Sequence, residues 1–73
     1  MFLTNAEEKK SYKIVKIEEG KGVKLKLASM GLLPGKTVKI VKNDFRGPII
    51  VGVKASRISV GRGLSKKIQV LKL

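Results

Sequence analysis

The chain has 73 residues, a formal net charge of +12, no Cys and no His. These figures exclude a disulfide framework, a thiolate or imidazole metal site and the usual nucleophile–base pairs, and they point to anionic partners. One small domain, residues 1–73, must draw its stability from an apolar core, which 42% apolar residues can supply.

The charge is unevenly placed. In residues 1–19, Lys9, Lys10, Lys13 and Lys16 balance Glu7, Glu8, Glu18 and Glu19. Residues 20–73 carry ten Lys and three Arg against the single acid Asp44, which is 13 − 1 = +12. Such a surface fits nucleic acid, an anionic membrane face or an acidic protein; a merely solubilising lysine surface has the same composition. Thr4 and Asn5 follow Met1–Leu3 at once, so no signal-peptide core is evident, and PIIVGV (48–53) is too short to cross a bilayer. The expected location is the cytoplasm.

In chain order, Thr4 or Asn5 can cap a short turn over AEEKK, with Glu7 or Glu8 three residues on. YKIVKIEE (12–19) reads as a strand with Tyr12 and Ile14 on one face and Ile17 on the other; a bulge near Val15–Lys16 returns Ile17 to the core side. VKLKL (23–27) alternates like a strand, but a helix stop follows it. With Gly31 at C′, Leu32 and Leu27 form the hydrophobic pair of a Schellman motif, and Val23, Leu27 and Met30 fall at i, i+4 and i+7. This spacing predicts a short helix over 22–30. Pro34–Gly35 suits the centre of a type II turn.

TVKIVK (37–42) and IIVGVK (49–54) read as strands, as do Ile58–Val60 and IQVLKL (68–73). NDFRGP (43–48) is a loop, and GRGLSKK (61–67) a tight connection with one helical turn near Leu64. Gly52, on the outer side of its strand, marks a bend or a close backbone approach. Val38, Ile40, Val51, Val53, Ile58 and Val60 form the alternating core set. About five short strands in so small a chain hide their edges most economically in a curled all-β barrel.

Chemistry-bearing residues are few. Glu18 and Glu19 adjoin on the expected strand and so face opposite ways, and Asp44 stands alone in a loop. Gly20–Lys21–Gly22 lacks the spacing of a phosphate loop. No catalytic residue, cofactor site or metal site is expected. Leu33 stands out for a different reason. Gly31, Leu32, Pro34 and Gly35 all serve the helix stop or the turn, whereas Leu33, held extended before a proline, has no local task. It either closes the open end of the barrel or docks a partner.

MGLLPGKTVKI, then GPIIVGV, then SRISVGRGLSKKIQV, resembles the FeoA family of small cytosolic proteins of bacterial ferrous-iron uptake. The likeness runs over about residues 12–72, from Tyr12, Ile14 and Ile17 to Ile68 and Val70, with Met30, Gly31, Leu32, Pro34 and Gly35 as its most specific part. The resemblance implies an SH3-like barrel of about five strands with one short helix after the first. It also implies a non-enzymatic accessory role, with no small-molecule substrate, in association with the cytosolic part of FeoB, the membrane transporter with a GTP-binding domain. The chain departs from the family at GRGLSKK and in lacking a Gly before the first strand.

GKTVKIVKNDFRGPIIVGV also looks like the opening of KOW modules, which are nucleic-acid-binding SH3-like barrels. Three aromatics, Phe2, Tyr12 and Phe45, are few for base stacking, and KOW modules leave MGLLPG unexplained, so nucleic acid is the weaker expectation. The expected partner-binding residues are Leu33 as the docking group, with Lys36, Arg46 and Arg57 as steering cations. An anionic membrane surface is a further expected partner.

Overall fold

Alternation sets the strands; a register shift between Ile40 and Lys42 breaks it in the second strand, and two local devices shape the chain on either side of the first helix. The computed structural model describes residues 1–18 and 20–73. After a 3₁₀ turn at Leu3–Asn5 come β1 (Ser11–Ile17), α1 (Lys21–Ser29), β2 (Thr37–Lys42), β3 (Ile49–Val53), β4 (Ser56–Val60), α2 (Arg62–Ser65) and β5 (Ile68–Lys72). The five strands form one antiparallel sheet in the order β4-β3-β2-β1-β5.

The first device is the β1 bulge. Ile14 pairs with Val70, but Lys16 pairs with Gln69, so one residue of β1 is left over. The extra residue reverses the facing of the strand, and Ile17 is buried beside Tyr12 and Ile14. The second device is the helix stop. Gly31 has φ +81°, Leu32 N–H donates to Leu27 C=O at 2.9 Å and Gly31 N–H donates to Ala28 C=O at 2.9 Å. These are the two bonds of a Schellman motif, and the apolar pair Leu27 and Leu32 beneath them is buried. Lys36 N–H then donates to Leu33 C=O at 3.0 Å around Gly35 at φ +94°, as a type II turn requires.

Val38, Ile40, Val51 and Val60 are buried as the alternation requires. Val53 and Ile58 only pack against the core half-buried, because they lie near the Lys54–Ala55 turn, where the β3–β4 hairpin leaves the barrel. Leu3 and Ala6 are buried too, so the N-terminal segment helps to lid the barrel. It is tied there by Lys9 N–H to Ile40 C=O at 2.7 Å and Ile40 N–H to Lys10 C=O at 2.9 Å.

Several element boundaries differ from the sequence reading. β1 starts one residue early and ends at Ile17; Glu18 follows it outside the strand, and the expected opposition of Glu18 to Glu19 lies outside the described residues. Thr4 and Asn5 cap nothing with their side chains; they lie within the 3₁₀ turn, and a separate turn closes from Lys10 N–H to Glu7 C=O. The second helix begins at Arg62, two residues before Leu64. No described helix is long and apolar enough to cross a membrane.

Candidate docking groove

Each of the two devices also leaves apolar side chains outside. The bulge that turns Ile17 inward strands Val15 on the surface, 46% exposed. In α1, Leu27 is buried and Val23 and Met30 pack on the core, so Leu25, two residues before Leu27 and some 200° around the helix, points away and is 69% exposed. Leu33, held extended before Pro34, is 42% exposed. It therefore does not close the end of the barrel.

These three residues converge. With Ala28, Pro34 and Ile17 they line a groove of about 410 Å³ between α1, the β1 bulge and the 33–34 segment, and Lys16 and Lys24 complete it. The volume falls in the range of binding clefts, and the mixture of apolar lining with two cations suits a ligand that is apolar in its anchors and acidic around them. Among the described residues, no cluster of three His, Cys, Asp or Glu could hold a metal ion.

The structure divides the expected partner-binding set. Leu33 lines the groove. Lys36, joined to it through the turn, lines a separate depression of about 270 Å³ with Met30, Val53 and Ser56. Arg57 belongs to the same end of the sheet, next to Ser56 on β4, and pairs with Gly52. Arg46 does not join them. It lies in the loop after β2, so the six residues of that strand, about 20 Å, separate it from Lys36.

Arg46 sits instead on a structural corner. Asn43, 4% exposed, donates from Nδ2 to Thr4 C=O at 3.1 Å and Ala6 C=O at 2.8 Å, and its Oδ1 accepts from Arg62 Nη2 at 2.5 Å and Phe45 N–H at 3.3 Å. Its backbone N–H donates to Glu8 Oε2 at 2.7 Å. Arg62 also lies over the Phe45 ring, 5.6 Å from its centroid. Asp44 Oδ1 accepts from Arg46 N–H at 3.1 Å and Gly47 N–H at 3.3 Å. Those two bonds hold the Asp44 carboxyl below its usual value against the opposing effect of desolvation, with lesser help from Lys42 and Arg62.

Sequence reasoning missed Val15, Leu25 and the Asn43 corner. The first two had a signal: a bulge at Val15–Lys16 leaves one residue facing out, and a helix that turns Val23, Leu27 and Met30 towards the core must expose Leu25. The corner had none, because a loop asparagine carries no mark of a partner 37 residues away in sequence.

The described residues form a small SH3-like barrel with an apolar groove beside its first helix. The FeoA domain model matches residues 1–72. The chain belongs to the FeoA family. A Methanocaldococcus jannaschii protein with the provisional name Fe(2+) transport protein A is 40% identical over 68 residues, 93% of this chain and 82% of that one. A crystal structure of an iron uptake regulatory protein, FeoA, superposes with a TM-score of 0.94 at 34% identity, covering 100% of this chain and 97% of the other. The Stenotrophomonas maltophilia FeoA complexed with zinc, described as an SH3 domain protein, shares the fold with a TM-score of 0.82 at 18% identity, over 97% and 89% of the two chains.

Proposed function

We propose that this chain is a non-enzymatic cytosolic accessory of ferrous iron uptake that docks on the cytosolic part of a FeoB-like transporter and modulates it. Family membership supplies the transport system. The observation that carries the docking is the groove, where the side chains of Val15, Leu25 and Leu33 all remain partly exposed around one concave surface. Exposed apolar side chains around a concave surface are the usual core of a protein interface, and the flanking lysines speed encounter with an acidic partner. Iron is the transporter's cargo; without His or Cys, this chain assists its passage without holding it.

The test is calorimetric titration of the purified cytosolic domain of the cognate transporter with wild type, Leu33→Ser and Leu25→Ser. Loss of a central anchor weakens binding by about 30-fold or more. Unchanged affinity in both variants excludes the groove as the docking site. Tight binding of the wild type to one RNA or DNA sequence at physiological salt, with none to the transporter, replaces this reading with the KOW-like one.

A further inference from the structure

The outer side of the sheet presents a second surface. Directly paired residues share a face, so the strand registers lay out a grid. Lys13 of β1 stands between Leu71 of β5 and Thr37 of β2. One row on, Ser11 stands opposite Lys39, and its carbonyl accepts from Leu73 N–H at 3.1 Å, which brings Leu73 alongside. The Lys39 row continues through Gly52 to Arg57. In the other direction along β5, Gln69 bridges to Phe2. The alternate residues Tyr12, Ile14 and Val38 are buried, so this grid faces outward.

The grid is amphipathic from one edge to the other. Its β5 edge carries Leu71, 59% exposed, Leu73, 66% exposed, and Phe2, 36% exposed. Its middle carries Lys13 and Lys39, with Arg57 beyond Gly52. None of these three cations has an ionic partner among the described residues. Two acidic side chains reach β5, and each is engaged: Glu7 pairs with Lys72 at 3.7 Å, and Glu18 accepts from Gln69 Nε2 beside Lys16. Strands about 4.8 Å apart place Lys39 about 10 Å from Leu73, with Lys13 and Leu71 in the next row.

We propose that this face seats on an anionic lipid bilayer. The leucines and Phe2 enter the headgroup boundary, and Lys13 and Lys39 engage lipid phosphates, the division of labour of interfacial amphipathic surfaces. The outer side of a barrel is convex, so it suits a bilayer better than the anchor side chain of a protein. It carries a single ring, too few for the stacked series a single-stranded nucleic acid requires. Gly52 has no side chain between Lys39 and Arg57, which leaves both cations free to reach the same plane of headgroups. The inference is independent of the groove, since α1 and Leu33 take no part in it.

The test is co-sedimentation of the full chain with phosphatidylcholine–phosphatidylglycerol vesicles, against pure phosphatidylcholine vesicles, at physiological ionic strength. The wild type binds the anionic vesicles only. The double variant Lys13→Gln/Lys39→Gln partitions roughly 30-fold less. A control with the same net charge, Lys26→Gln/Lys66→Gln, takes its charges from α1 and from just after α2 and changes partitioning only a few-fold. Leu71→Ser weakens binding most where salt has screened the charges. All these positions are exposed, so the melting curves coincide. Three results overturn the proposal: equal loss in the control, which makes binding a matter of net charge; no binding of the wild type to anionic vesicles; or displacement of the protein from vesicles by a single-stranded oligonucleotide, which gives the face to nucleic acid.

Discussion

At the groove, apolar side chains stand in water; at the loop beyond β2, polar ones are buried. Leu25 and Leu33 have no partner in the fold that accounts for their position, whereas Asn43 spends both ends of its amide on Thr4, Ala6, Phe45 and Arg62. A solvated leucine contributes little to folding, so its removal is tolerated and its presence asks for another explanation. A buried amide with every bond made is the reverse: its desolvation is offset only while all partners remain. The two regions thus separate what this small domain needs to fold from what it holds ready for something else. Arg46 lies by the first kind of region and Leu33 in the second, which is why the fold sets these two members of the expected partner-binding set apart.

The contrast breaks most visibly at Asn43. Asn43→Ala leaves two carbonyls and the Arg62 guanidinium without their partner in a poorly solvated corner. The expected loss is about 2–4 kcal/mol, a fall in Tm of roughly 10–25 °C in a domain of this size. Thermal denaturation followed by circular dichroism measures it. A negligible fall would mean that Leu3 and Ala6 hold the N-terminal lid without the amide.

Leu33→Ser and Leu25→Ser sharpen the other side. Leu25, 69% exposed, loses well under about 1 kcal/mol, and Leu33, 42% exposed, loses about 1 kcal/mol, well below the loss at Asn43. The same melts should shift far less than that of Asn43→Ala while binding to the transporter domain falls. A drop for Leu33→Ser as large as that for Asn43→Ala would place Leu33 in the core and leave the groove without its central anchor.

The parts legible in the sequence are those fixed by neighbours along the chain. The bulge at Val15–Lys16 follows from the misplacement of Ile17 in an otherwise regular alternation. The Schellman stop follows from Leu27, Gly31 and Leu32 at fixed offsets, and the turn follows from Pro34–Gly35. Each is settled within about ten residues. What could not be read joins distant segments: the burial of Leu3 and Ala6, the Asn43–Arg62 bond, and the strand register that separates Arg46 from Lys36. Leu25 lies between the two cases, because VKLKL alternates like a strand and declares its outward leucine only once the stop has made it a helix.

The smallest expected effect lies within the loop itself, at Asp44. Its carboxylate accepts two backbone N–H groups, and these, with the cations nearby, lower its folded-state pKa. The unfolded chain therefore binds this proton more readily, so the contribution is complete above the ordinary carboxyl value and is lost as pH falls through the lowered one. The group is open to solvent, which keeps the effect small. Asp44→Asn keeps an oxygen that can accept the same bonds but removes the charge. Its Tm should lie slightly below wild type at neutral pH, and the gap should close in acid as the wild-type carboxylate is protonated. Melts of both proteins across the acid range decide the matter. A gap that persists after protonation would assign the difference to the shape of the turn, and the charge would then have no part in holding the Asn43 corner.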